Sequence, residues 1–249
     1  MGAPATEPLL SVRDLRKCYG EKVVLADVDL EVFTHDVVCL IGSSGSGKST
    51  LLRCLNLLEE IDDGIIRFEG EEISDPLAPA RSIRSRMGMV FQAYNLFPHL
   101  TVLNNCTLAP RRVHGLGKRA AEERARALLD RCGLADKADV HPDRLSGGQQ
   151  QRAALVRALC TEPRLLLLDE ITAALDPELV GEVLDLLREL KDDGLTMILN
   201  THEMGFARQV ADVVCFLDGG VILEQGRPEQ VLGAPAHERT QRFLSRLTH

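Results

Sequence analysis

Residues 42–50, Gly-Ser-Ser-Gly-Ser-Gly-Lys-Ser-Thr, set one lysine and two hydroxyls behind a run of small residues. The spelling is G-x-x-x-x-G-K-[ST], and its glycines free backbone N–H groups to wrap a polyphosphate. Gly42, Ser43, Ser44, Gly45, Ser46, Gly47 and Thr50 would form the cradle. Lys48 would reach the β- and γ-phosphates, and the Ser49 hydroxyl suits Mg²⁺. The run "LLLLDE" ends in Asp169 and Glu170. Four apolar residues followed by two acids read as a buried strand delivering carboxylates to a sheet rim, beside the phosphate loop. Asp169 suits the Mg²⁺ shell, and Glu170 suits general-base activation of a water. Gln92, after "MGMVF", is a neutral group able to orient water or touch Mg²⁺. His202, after "TMILN", could contact a γ-phosphate.

A third stretch, "LSGGQQQR" at 145–152, is of a different kind. Ser146 could cap a helix, and Gly147 and Gly148 would let another group approach its first amides, with Gln149 beside them. It has the outline of a phosphate site but neither lysine nor carboxylate.

The elements around these residues must be strands and helices in alternation. Val28, Leu30 and Val32 alternate with charged residues, and "DVVCLIG" is a continuous buried-strand run ending at the phosphate loop. A helix is expected from Lys48 to about Leu57. Short strands are expected at "IIRFEG" and "MGMVFQ". From Thr101 to Leu159 the texture is helical, with Gly133 as a C-cap. "RLLLLDE" then reads as a strand and "PELVGEVLDLLRELKDDG" as a helix opened by Pro177 and closed by Gly194. "TMILN" and "VVCFLDGG" are strands, and "HERTQRFLSRL" is a short amphipathic helix. The expected fold is α/β: a phosphate-loop core with a mainly parallel sheet, an antiparallel β subdomain and an inserted α-helical subdomain. The core would take about 1–92 and 161–249, and the insertion about 93–160, within one domain spanning 1–249.

Composition narrows the classes of function. Of 249 residues 45% are hydrophobic but only 4% aromatic, without Trp, so the core is aliphatic and base-stacking platforms are scarce. A net charge of −8 leaves no broad basic face, and no nucleic-acid partner is expected. The seven cysteines form no CxxC pair and read as buried thiols in a reducing compartment. The first residues lack the charge and apolar run of a signal peptide, although Met1-Gly2 fits the loose myristoylation spelling. No apolar run reaches the length of a membrane span, so the chain is expected in the cytosol, with any membrane link made through a partner.

Taken in order, the phosphate loop, Gln92, "LSGGQQQR", "LLLLDE", "ALD" and His202 resemble the ATPase subunit of an ABC transporter over nearly the whole chain. The resemblance implies ATP with Mg²⁺ as cofactors. It also implies a head-to-tail dimer of two copies, in which the signature residues Ser146, Gly147, Gly148 and Gln149 of one copy close over ATP held by the other. Tyr19, in "KCYG", matches the family's adenine-stacking aromatic, and Asp176, in "AALD", the loop that crosses the dimer interface. "YNLFPHLTVLNN", "LAPRRVHG", "DPELVGEVLD", "THEMGFAR" and "HERTQRFLSRL" are similar to importers of polar amino acids. That group pairs with two integral-membrane permease subunits, is fed by a separate solute-binding protein, and works at the cytoplasmic face of the membrane. The surface around Gln92 and the helical insertion would receive the permease's coupling helix.

Four positions depart from the family's usual spelling. Ile171 stands where proline follows the catalytic glutamate, Asn200 where an apolar residue or threonine is usual, Ala173 where serine is common, and Ser43 where the loop often has proline. None removes a catalytic group, and Ile171 is expected to affect rate modestly. Methionine, osmolyte or phosphate importers are the alternatives within transporters. A soluble ABC ATPase acting on DNA or ribosomes would carry a long insertion or two ATPase halves, and a non-hydrolysing relative would lack Lys48, Glu170 or His202.

Overall fold

The computed structural model describes residues 7–173, 175 and 177–246. The chain begins with strands β1 (Leu10–Tyr19), β2 (Lys22–Val32) and β3 (Val37–Ile41), then helix α1 (Lys48–Leu55). Strands β4 (Asp63–Phe68) and β5 (Glu71–Glu72), helix α2 (Ala80–Ser85) and strand β6 (Met87–Val90) follow. Helices α3 (Val102–Arg112), α4 (Lys118–Arg131) and α5 (Gly147–Leu159) then precede β7 (Leu165–Asp169). The chain continues through α6 (Pro177–Asp192), β8 (Met197–Asn200), α7 (Met204–Val210), β9 (Val213–Asp218), β10 (Val221–Gly226) and α8 (Glu238–Ser245).

Among the described residues the strands form two sheets. One is antiparallel, in the order β2-β1-β4-β5; the other is β10-β9-β3-β8-β7-β6, parallel except for β10. The continuous apolar runs follow from burial on both faces. In β3, Val37, Cys39 and Ile41 join the core facing the helical insertion, while Val38 and Leu40 face the core shared with α1 and the antiparallel sheet. In β7, Leu166 and Leu168 go one way, and Leu165 and Leu167 the other. Six cysteines are buried and all seven are free thiols, as the composition suggests.

Two expected boundaries shift. Helix α1 stops at Leu55, because Leu57 takes a left-handed φ of 55° and its N–H bonds back to the Cys54 carbonyl. Strand β6 stops at Val90. It is an edge strand whose only ladder, to β7, ends at the Val90–Leu168 pair, so Gln92 lies beyond the sheet. The short helices α2 and α7 and the half-buried β10 carry too little periodicity to be read from sequence.

Strand direction places the site. β3, β8 and β7 are parallel neighbours, and their register pairs Leu40 with Asn200 and Asn200 with Asp169. Whatever follows these strands therefore leaves from one carboxyl edge: the phosphate loop after β3, Glu170 after β7 and His202 after β8.

Candidate active site

The phosphate loop is closely packed against the strands behind it. Gly42 has φ 146°, and a Cβ there would stand 2.1 Å from the Leu217 carbonyl oxygen. Gly47 has φ 110°, and a Cβ there would meet the Leu25 side chain at 2.7 Å and the Val24 carbonyl at 2.9 Å. A side chain at either position would push the loop off β9 or β2. We expect Gly42→Ala to cost about 3 kcal/mol of stability, the combined scale of overpacking and a strained φ, read as a fall in the urea midpoint. An unchanged midpoint would mean the loop is free to move.

Lys48 is 4% exposed, and its Nζ donates to the carbonyls of Gly42 at 2.8 Å and Ser43 at 3.0 Å. Burial pushes its pKa down, while the charges of Glu170 and Asp169 pull it back up. Ser49 Oγ donates to Asp169 Oδ1 at 2.7 Å. A hydroxyl and a carboxylate brought together in this way are hard oxygen donors of the kind Mg²⁺ takes. His202 Nε2 donates to Glu170 Oε1 at 3.1 Å. Glu170 itself has a left-handed φ of 48°, a costly conformation for a residue with a side chain. Its N–H is held by the Asn200 carbonyl at 3.1 Å. Ile171 is 6% exposed and packs into the core with the helices, so burial anchors the loop where a proline ring would otherwise stiffen it.

The structure gathers most of the expected residues around one open cavity of about 550 Å³, lined by Tyr19, Ser44, Gly45, Gly47, Lys48, Ser49, Thr50, Gln92 and Glu170 among others. Gly42, Ser43 and Ser46 complete the loop, and Asp169 and His202 reach it through Ser49 and Glu170. Tyr19 is 45% exposed on the rim, with Lys17 Nζ 5.1 Å from its ring centre.

Ser146, Gly147, Gly148 and Gln149 do not line that cavity. They open α5 with a capping box: Gln149 N–H donates to Ser146 Oγ at 3.3 Å, and Ser146 N–H to Gln149 Oε1 at 3.1 Å. Ser146 is exposed. The cap takes the Gln149 amide, and the other amides of this first turn have no carbonyl four residues back. Asp176 lies outside the described residues.

Sequence reasoning missed two residues. Asn200 was noted only as a departure in spelling, yet its amide lies between Asp169, Glu170 and Ser49. Arg157 of α5 donates to the carbonyls of Tyr94, at 3.2 Å, and Asn95, and so ties the segment after Gln92 to the helix that carries the signature. A cation in the last turn of a helix gives no sign of this long-range role.

The comparisons agree with this geometry. The family model described as ABC transporter matches residues 25–173. A general L-amino acid transport ATP-binding protein of Rhizobium johnstonii is 48% identical, over 98% of this chain and 95% of its own. An L-cystine import ATP-binding protein of Bacillus subtilis is 49% identical, over 96% of this chain and 98% of its own. Among solved structures, the ATP-binding cassette MJ0796, a dimer in a post-hydrolysis state bound to ADP and Pi, superposes with a TM-score of 0.80. It is 31% identical and covers 89% of this chain and 99% of its own. A phosphate loop facing two acids and a histidine across a parallel sheet edge, with a capped signature helix held apart from them, makes this chain an ATPase of the ABC transporter family.

Proposed function

We propose that this ATPase energises uptake of an amino acid through a membrane permease, with a polar amino acid as the favoured class. The observation that carries the catalytic part is the convergence of Lys48, Ser49, Asp169, Glu170 and His202 on one cavity. The transport part rests on relatives named for amino-acid uptake that align nearly end to end.

In this reading the loop amides and Lys48 hold the β- and γ-phosphates. Ser49 and Asp169, with Gln92 at the cavity edge, would hold Mg²⁺, which supplies positive charge between the phosphates. Glu170 accepts the proton of the attacking water. His202 holds Glu170 through Oε1 and would contact a γ-phosphate oxygen. Thr50 and Ser44 add donors at the cavity wall.

Tyr19 stacks on adenine. Its exposure on the rim argues against a core role, and Lys17 near the ring would reinforce a stacked base. Tyr19→Ala is expected to weaken ATP binding by about 1–3 kcal/mol, and Tyr19→Trp to restore it. Calorimetry checks both; an unchanged affinity with a lowered melting temperature would make Tyr19 structural.

The signature residues Ser146, Gly147, Gly148 and Gln149 then serve ATP held by a second copy. No helix among the described residues is long and apolar enough to cross a membrane. We place the dimer at the cytoplasmic face, on two permease subunits supplied by a solute-binding protein. A groove lined by Arg81, Arg84, Met89, His114 and Arg157 runs between α2, β6, α3 and α5. It adjoins the segment after Gln92 and suits a permease coupling helix, so that movement there reaches both Gln92 and, through Arg157, the signature. In cells lacking this gene, uptake of a panel of labelled amino acids should fall for at least one. The wild-type gene should restore it and Lys48→Ala should not. Uptake unchanged across the panel would overturn the transport reading.

A further inference from the structure

Asn200 is 2% exposed at the end of β8, between β3 and β7. Its Nδ2 lies 2.8 Å from Asp169 Oδ1, 3.4 Å from Glu170 Oε1 and 3.5 Å from Ser49 Oγ. Its Oδ1 is buried with no hydrogen-bond partner. A flipped amide would turn that oxygen onto two carboxylates, so the acids themselves fix its orientation. The rest of β8 is buried and apolar, and the amide that ends it finds its partners at the site. A side chain that aims its donor at the reacting acids is placed for the geometry of the site.

We propose that Asn200 is a positioning residue for ATP hydrolysis: one amide pins the carboxylates of Asp169 and Glu170 and selects which oxygen of each stays open. Asp169 Oδ1 takes both the Ser49 hydroxyl and the Asn200 amide. Glu170 Oε1 takes both His202 and the Asn200 amide. The donors converge on one oxygen of each acid. Asp169 Oδ2 and Glu170 Oε2 are left for other partners, in the latter case the water to be deprotonated. The backbone adds a second hold, since the Asn200 carbonyl accepts from the Glu170 N–H. Asn200 thus restrains both ends of a residue whose backbone is in a strained conformation.

The proposal rests on the reading of Glu170 as the base, and the test separates the two. Asn200→Leu keeps the branched shape and removes the donor. We expect kcat to fall about 10- to 100-fold, the scale for losing a group that orients a ligating or reacting side chain. The dissociation constant for ATP should stay within about twofold, because the loop and Lys48 are untouched. The melting temperature should fall by about 3–8 °C, because the buried Asp169 carboxylate loses a donor. A purely structural asparagine would lower the melting temperature and weaken ATP binding along with the rate, and that result would overturn the proposal. So would unchanged kcat. Failure of both Asn200→Leu and the smaller Asn200→Val to fold would make Asn200 a structural residue and overturn the proposal. Glu170→Gln is measured alongside. If it turns over normally, the base reading fails. If it is inactive while Asn200→Leu matches wild type, only the role of Asn200 fails.

Discussion

Glu170→Gln is expected to bind Mg-ATP with near wild-type affinity, hydrolyse it about 10²–10⁴-fold more slowly, and accumulate as an ATP-bound dimer. The amide keeps the shape of the carboxylate, so His202 Nε2 retains an acceptor at 3.1 Å and the left-handed turn at Glu170 has no new reason to relax. What is lost is a base able to take a proton from water. The phosphate loop, Lys48 and Ser49 are unaltered, so ground-state binding survives. Because ATP is consumed slowly, a complex that closes over it persists. Single-turnover hydrolysis and size-exclusion chromatography with and without Mg-ATP read the two effects. Turnover near the wild-type rate would remove Glu170 from the base role and leave the strained backbone at this position without a catalytic reason.

How much of this was legible in the sequence depends on the kind of signal. The phosphate loop and "LLLLDE" are contiguous, and each carries its own structural context. A buried run ahead of Gly42 or Asp169 can only be a strand covered on both faces, and the chemistry sits at its end. Such local patterns gave the fold class and most of the cavity lining. The start of the signature helix was equally readable: Ser146 caps it as expected, and Gln149 closes a capping box that the sequence reading did not include. Asn200 was unreadable as a functional group. Its meaning depends on β8 lying between β3 and β7, a pairing of segments far apart in sequence. Arg157 is the same case, since its partners at Tyr94 and Asn95 belong to a different segment. Ile171 shows the converse. Its spelling suggested a loosened loop, but burial among the helices supplies an anchor that only the packed structure reveals.

The separation of the signature from the cavity leads to the second large effect: two inactive variants should restore each other on mixing. Lys48→Ala removes the ammonium that neutralises the β- and γ-phosphates, while its α5 N-terminus is intact. Ser146→Asp is the complementary lesion. Aspartate is as good a helix cap as serine, so the capping box and the fold should survive. Its charge would instead face the triphosphate of the other copy and repel it, in the place where the first-turn amides are to donate. Each homodimer then has two broken sites. A mixed dimer has one site with both lesions and one that joins the sound phosphate loop of the Ser146→Asp chain to the sound signature of the Lys48→Ala chain. Hydrolysis should return toward the fraction of mixed dimers that exchange produces, provided one sound site turns over alone. If the signature served the loop of its own chain, every site in the mixture would carry a lesion and no activity would return. A cross-link decides the case in which both sites must fire together. Cysteines are placed at Ser43 and Ser146 on separate chains in a background without the native thiols, of which six are buried and can be replaced by small apolar residues. ATP should promote a disulfide between chains, because the exposed start of α5 is then drawn against the partner's phosphate loop. A chain carrying both cysteines is run beside this pair, and a bond that forms only within that chain, with none between the separate chains, would defeat the shared-site reading whatever the mixing experiment shows.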